Sequence, residues 1–172
     1  KVRYRQSNEI YIVSHFNDIN NIKIRDGKID IKTYVQTVKG LEQWNPLTKV
    51  EFPISSTKLN TDMFPSLQVE LPRLTKDEYT ISEFLEMIDI CLDLQAVRVK
   101  KERFGYMVNE TICEVANVLV NDAKVVTINS ESIEIKNVLK TLDDVKLNQF
   151  ENINYLQGIK RIIGMINKPI AN

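Results

Sequence analysis

Apolar and polar residues alternate strictly along NIKIRDGKIDIK, residues 21 to 32. Alternation of this kind is typical of a β-strand with one buried and one exposed face. The Asp26-Gly27 pair favours a two-residue hairpin turn, because both positions of such a turn need a positive φ. The turn sets the register, so that Ile residues share one face and the charged residues share the other. The charged face carries Lys23, Arg25, Lys28, Asp30 and Lys32, four cations and one carboxylate, with a net charge of +3.

Further β-prone segments predict more strands, and turn residues separate several of them. They are EIYIV (9 to 13), YVQTV (34 to 38), SLQVEL (66 to 71), AVRVKKERFGYMV (96 to 108), TICEVANVLV (111 to 120) and AKVVTINSE (123 to 131). The last three are joined by turn signals at Asn109 and Asn121-Asp122, which predicts an antiparallel meander. Between residues 39 and 55, Gly and Pro punctuate the chain as in loops around short extended pieces.

Helical spacing of apolar residues predicts three helices. Thr80 and Glu83 form a capping box in front of a helix over residues 81 to 91. Ser132 is placed to cap a helix through about Leu142, and a final amphipathic helix is predicted over residues 154 to 166. Strands and helices together predict an α+β protein.

Composition indicates a globular protein and points to no particular partner. The chain has 172 residues, of which 43% are apolar and 27% charged, as expected for one globular domain over residues 1 to 172. Lys and Arg number 23, and so do Asp and Glu, so no overall field attracts nucleic acid, and we expect no such partner.

Two further features bear on location. Cys91 and Cys113 have neither CxxC spacing nor a neighbouring His, which predicts two reduced thiols rather than a zinc or redox site. No apolar run reaches the roughly 18 residues of a membrane span, and KVRYRQSNE at the start lacks the apolar stretch of a signal peptide. We therefore expect a cytoplasmic protein with no membrane partner.

A second basic strand, VRVKKERFGY, could meet the charged face of the hairpin. Alternation places Lys101 and Arg103 together on one face of this strand. Rows of cations from several strands, with a few carboxylates among them, suit a polyphosphate and its Mg²⁺ or Mn²⁺ ion. The alternative is a set of amphipathic strands whose charged faces simply contact water. The pattern alone leaves both interpretations open.

The order of these motifs resembles the CYTH, or triphosphate tunnel metalloenzyme, family. NIKIRDGKIDIK looks like that family's paired basic strands, VKKERFGY is similar to its V-x-K-x-R-x-x-Y strand, and CEVANV resembles the following acidic strand. The resemblance implies an antiparallel, tunnel-like β-barrel of about eight strands, with the helices over residues 81 to 91 and 154 to 166 packed outside it.

The resemblance also implies functional residues. By that likeness, phosphates would be held by Lys23, Arg25, Lys32, Lys101 and Arg103. The metal-ligand candidates, for Mg²⁺ or Mn²⁺, would be Glu9, Glu114 and Glu131. The implied function is binding, with metal-dependent hydrolysis, of a phosphorylated small molecule that contains a triphosphate or polyphosphate.

Two departures from the family pattern keep a second function open. The family's first strand reads E-x-E-x-K, whereas SNEIYIVS supplies only Glu9, and Ala116 stands where the later strand has an Asp. Each lost carboxylate lowers the affinity for a metal ion. The alternative is therefore a catalytically inactive anion-binding or interaction module with the same fold.

Overall fold

A curled antiparallel sheet dominates the computed structural model, which describes residues 2–70 and 72–170. Within those residues the main sheet has seven strands in the order β4-β3-β2-β1-β7-β8-β9, and β5 and β6 form a separate two-stranded ribbon. The strands run over Arg3–Ser14 (β1), Asn20–Arg25 (β2), Lys28–Val38 (β3), Leu41–Glu51 (β4), Ile54–Ser55 (β5), Glu78–Tyr79 (β6), Leu94–Val108 (β7), Thr111–Val120 (β8) and Ala123–Glu131 (β9).

Helices connect and cover the strands. They run over Ser56–Lys58 (α1), Phe64–Leu67 (α2), Ile81–Ile90 (α3), Ile135–Asp144 (α4) and Tyr155–Ile162 (α5), with a π-helical turn at Leu59–Met63 between α1 and α2. The α+β class is confirmed. Among the described helices, none has the length and apolar character needed to cross a membrane.

The β2–β3 hairpin has the predicted register. Asp26 and Gly27 adopt φ values of 51° and 72°, which are those of a tight turn that matches the twist of the strands. Arg25 pairs with Lys28 and Lys23 with Asp30, as the sequence predicts. The β7–β8–β9 meander is confirmed as well.

The isoleucines of the hairpin form the centre of the larger apolar cluster. Ile22, Ile29 and Ile31 are fully buried, and they pack against side chains of the α1–α2 segment and of α3. Full burial of one such side chain contributes about 1.5 to 3 kcal/mol. We call this the outer face of the sheet; the charged residues of the hairpin lie on the opposite, inner face.

Contacts at the start of helix α5 show that the sheet curls. The Nδ2 atom of Asn154 donates to both carboxylate oxygens of Glu42 on β4, at 3.3 and 3.0 Å. The next residue, Tyr155, has its hydroxyl 2.9 Å from Thr127 Oγ1 on β9. Two successive residues thus contact the two opposite edges of the sheet. Within the described chain, β4 and β9 are not hydrogen-bonded to each other, so the sheet is a seven-stranded half-barrel.

Several boundaries differ from those predicted. Helix α4 begins at Ile135 with Glu134 as its N-cap, because the Ser132 hydroxyl accepts from Glu134 N in a local turn instead. Residues 39 to 55 contain the eleven-residue strand β4; Pro46 is tolerated there because β4 is an edge strand. In the predicted strand 66 to 71, residues 66 and 67 end α2 and 68 to 70 are not in a strand, while residue 71 lies outside the described residues.

The position of α5 is also different. Leu156 and Ile159 pack with Tyr11, Val97 and Val99 on the inner face. The prediction that this helix packs outside the sheet is therefore wrong, whereas α3 does pack outside.

Candidate anion-binding site

Glu9 lies at the centre of a cluster of cations on the inner face. Its carboxylate is fully buried, and strands on both sides of β1 direct basic side chains toward it. From β2, Arg25 Nη1 is 3.4 Å from Oε1. From β7, Lys101 Nζ is 3.0 Å from Oε2 and Arg103 Nη2 is 3.7 Å from Oε1. Three of the five predicted phosphate-binding residues therefore meet at one carboxylate.

Neutral hydroxyls complete the surroundings of this carboxylate. Ser7 donates to Oε1 at 3.1 Å and Tyr11 donates to Oε2 at 3.0 Å. Period-two alternation along β1 places Ser7, Glu9 and Tyr11 on the same face, which explains why one strand supplies all three groups. Each oxygen of Glu9 thus has both a hydroxyl and at least one cation beside it.

Lys101 is held between a carboxylate, a hydroxyl and an aromatic ring. Its Nζ donates to Tyr11 Oη at 2.8 Å and lies 3.6 Å from the centre of the Tyr155 ring. The two tyrosine rings are stacked, with their centres 6.0 Å apart. The face of an aromatic ring attracts a cation, most strongly when water is excluded, so α5 stabilises Lys101 as well as covering it.

The burial of this cluster changes its titration. Burial raises the pKa of Glu9, but the charges of Lys101 and Lys23 and the hydrogen bonds from Lys101 and Tyr11 outweigh burial and lower it to about 2. Burial lowers the pKa of Lys101 to about 8, although Glu9 opposes the change. Burial also lowers the pKa of Lys23, and the charges of Arg25 and Lys32 contribute. Burial and neighbouring cations therefore disfavour the charged forms of Lys101 and Lys23, while Glu9 stays ionised.

The remaining predicted cations lie at the side of this cluster. Lys23 pairs with Tyr11 across the β1–β2 ladder and with Asp30 across β2–β3, which places it on the inner face. Lys32 pairs with Asn21 on the same face, and its charge contributes to the lowered pKa of Lys23. All five predicted phosphate-binding residues thus share the inner face.

The three predicted metal-ligand residues are not arranged as one site. Glu114 Oε2 lies 4.0 Å from Arg103 Nε, and Glu131, at the end of β9, is exposed and pairs with Ile112. Across the part of the chain that the structure describes, no group of three or more His, Cys, Asp or Glu side chains is placed to hold a metal ion. Both oxygens of Glu9 already accept hydrogen bonds from hydroxyls and lie beside basic side chains. Positive charges at these positions repel a divalent cation, so the surroundings of Glu9 do not fit a metal ion.

Arg103 retains unused hydrogen-bonding capacity. Its Nη2 donates to Ser7 Oγ at 2.8 Å, but its Nε is buried and has no hydrogen-bond acceptor among the described residues. A buried donor left without a partner costs about 1 to 3 kcal/mol. An anion at this point would remove that cost.

Sequence reasoning did not assign Ser7 or Tyr155 to the site. Alternation could have identified Ser7, because it lies two residues before Glu9. No local signal identifies Tyr155, since an amphipathic helix reveals which of its own faces is apolar but not which face of the sheet it covers. No protein-family model and no curated protein matches this sequence.

Proposed function

We propose that the inner face binds a phosphate-rich small anion, such as a nucleoside triphosphate, inorganic triphosphate or polyphosphate. One observation carries the proposal: four cations surround a single buried carboxylate. They are Lys23, Arg25, Lys101 and Arg103. Glu9 lies at their centre, and Asp30, Asp26 and Glu114 approach Lys23, Arg25 and Arg103 from the periphery, so the centre itself has a surplus of positive charge. A cluster with this surplus is stabilised by an incoming polyanion.

The strands supply preorganisation. β2 and β7 flank β1 on either side, so backbone hydrogen bonds fix the spacing of the cations before the ligand arrives. Guanidinium groups such as those of Arg25 and Arg103 can also bind phosphate oxygens in pairs. Little conformational entropy is then lost on binding, which favours affinity.

We further propose that the half-barrel is a divergent CYTH-like tunnel. The proposal is supported by the order of the basic strands, by the curl of the sheet and by the convergence of the predicted cations. Free Cys91 and Cys113 suit a reducing compartment, and we propose a cytoplasmic location on that basis.

Binding without hydrolysis fits the geometry better than metal-dependent hydrolysis, because Glu9 already has cationic partners. Hydrolysis is the second candidate, and the partly exposed Glu114 beside Arg103 is the observation in its favour. Release of phosphate from inorganic triphosphate or ATP in Mg²⁺ or Mn²⁺, abolished by Glu114→Ala, would establish hydrolysis and contradict the binding-only proposal.

The test of binding compares matched arginines on the two faces of β7. Arg103→Gln removes an inner cation, whereas Arg98→Gln removes an exposed cation from the outer face of the same strand. The measurement is the rise in melting temperature that triphosphate causes in each variant, relative to that variant alone. We expect Arg103→Gln to weaken binding about tenfold or more, because charged hydrogen bonds contribute about 1.5 to 3 kcal/mol, and Arg98→Gln to bind as the wild type does. Equal effects of the two changes, or no shift in the wild type, would contradict the proposal.

A further inference from the structure

The two edge strands of the half-barrel differ in how their backbone is protected. β4 contains Pro46, and its pairing with β3 shifts register at two points. Prolines and bulges discourage a free edge from pairing with another chain. β9 has no proline, and its register with β8 runs without a shift from Val120–Ala123 to Ile112–Glu131.

The edge of β9 that points away from β8 has no strand beside it among the described residues. Within residues 2–70 and 72–170, no strand pairs with that edge, so a regular row of backbone N–H and C=O groups faces outward. Helix α5 contacts the strand from the inner face, through the Thr127 side chain. A regular, unprotected edge is a template for an added strand.

The side chains of β9 also suit an added strand. Val126 and Ile128 lie on the outer face and are 65% and 52% exposed. Ile128 continues an apolar row that crosses four strands through Val115, Phe104 and Tyr4. The only charged residues of the strand are Lys124 and Glu131, which lie near its two ends.

We propose that β9 pairs antiparallel with β9 of a second copy of this chain, around a two-fold axis near Thr127. Such an axis places Lys124 opposite Ser130 of the second copy on the outer face and Glu131 opposite Ala123 on the inner face, so no like charges face each other. It also places Val126 opposite Ile128 on the outer face, where cross-strand apolar pairs stabilise a sheet. A parallel arrangement would instead place like charges together. The two half-barrels become one continuous sheet in an isologous dimer. This inference is independent of anion binding.

The test measures the mass of the whole chain in solution by light scattering after size-exclusion chromatography, over a range of concentrations. We expect a mass of twice 19.9 kDa for the wild type. Val126→Lys and Ile128→Lys each place two lysines close together across the axis, and we expect them to give monomers with unchanged circular dichroism. The matched control is Leu92→Lys, which changes a side chain that is 96% exposed and far along the chain from β9, and it should remain dimeric.

A second substitution tests the antiparallel direction. Adding Ile128→Asp to Val126→Lys places a carboxylate opposite each lysine in the antiparallel register and should restore the dimer, whereas in a parallel register the lysines would still face each other. Failure of the double variant to dimerise would overturn the antiparallel register. A monomeric wild type would overturn the proposal, and so would a dimer that persists in both lysine variants. A wild-type monomer that binds a synthetic peptide of residues 123 to 131 would show that the edge takes a strand from another source, which also overturns pairing with a second copy.

Discussion

Replacing Glu9 by glutamine removes the one negative charge at the centre of the cation cluster and nearly preserves the shape of the side chain. The pKa of Glu9 lies at about 2 instead of 4.5. A tenfold change in a proton-binding constant corresponds to about 1.36 kcal/mol, so the ionised carboxylate stabilises the fold by about 3 kcal/mol. Since its side chain is fully buried, solvent does not screen this contribution.

The pH dependence has a definite sign. The pKa is lower in the folded protein than in the unfolded chain, so the stabilisation is fully present above about 4.5 and is lost as the pH falls through about 2. Urea unfolding should therefore show Glu9→Gln about 3 kcal/mol less stable than the wild type at pH 7. The difference should shrink as the pH approaches 2.

The same change should strengthen anion binding. Glu9 neutralises one of the cations that a polyphosphate would contact, and its negative charge also repels the ligand. Its removal lowers the pKa of Lys101 further, but a bound polyphosphate returns that amine to its charged form with uptake of a proton, so the ligand meets one carboxylate fewer. We expect the Kd for inorganic triphosphate to fall about tenfold, which corresponds to about 1.4 kcal/mol. Isothermal titration calorimetry measures this constant directly.

The control for Glu9→Gln is the same substitution at an exposed glutamate. Glu51 forms an ion pair with Lys28 that is largely exposed, and solvent screens exposed pairs, so Glu51→Gln should change stability little. If Glu9→Gln left stability unchanged, the cluster would not depend on this carboxylate. If it abolished binding of triphosphate in the presence of Mg²⁺, Glu9 would be a metal ligand and its assignment as a counter-ion would be wrong.

Two further predictions concern residues beside Glu9. Because the pKa of Lys101 is about 8 and an anion favours the charged amine, triphosphate affinity should fall as the pH rises from about 7 to above 8, and binding should take up a proton. Calorimetry in buffers of different ionisation enthalpy measures both the affinity and the proton uptake. A constant affinity across this range would contradict the assignment of Lys101 to the anion site. Tyr155→Phe keeps the ring over Lys101 but loses the hydrogen bond to Thr127, so it should cost about 1 kcal/mol of unfolding free energy. Tyr155→Ala should cost about 3 to 5 kcal/mol, and similar losses in both variants would show that the ring does not stabilise the cluster.

The hairpin was predictable because two independent signals agree. Alternation assigns its residues to faces, and the Asp26-Gly27 turn leaves one register in which Lys23 and Arg25 share a face. The same alternation correctly grouped Lys101 with Arg103. Local patterns of this kind are strong wherever one face of a strand must be buried.

The enclosure of the site was not predictable, because it depends on contacts between distant segments. Asn154 and Tyr155 contact Glu42 and Thr127, and nothing in the local sequence joins these positions. Lys160 shows the same limit. It is almost fully buried and donates to the backbone oxygen of residue 17 and to the carboxylate of residue 18, although the amphipathic pattern of its helix identifies neither partner. Which face of a sheet a helix covers is decided by such long-range contacts.

The role of Glu9 also follows from tertiary structure. A glutamate on a strand can bind a metal or neutralise cations, and only the positions of Lys101, Arg25 and Arg103 distinguish the two roles. The sequence motif alone predicts the metal role by family likeness. The geometry favours the counter-ion role.

A calorimetric titration of the wild type with inorganic triphosphate, in the presence of a metal chelator, tests the central claim most directly. If the basic inner face is an anion site that needs no metal, the titration will show saturable binding of one triphosphate per chain, and the affinity will fall as salt is added. Absence of binding under these conditions, or binding that begins only when Mg²⁺ or Mn²⁺ is supplied, would contradict it.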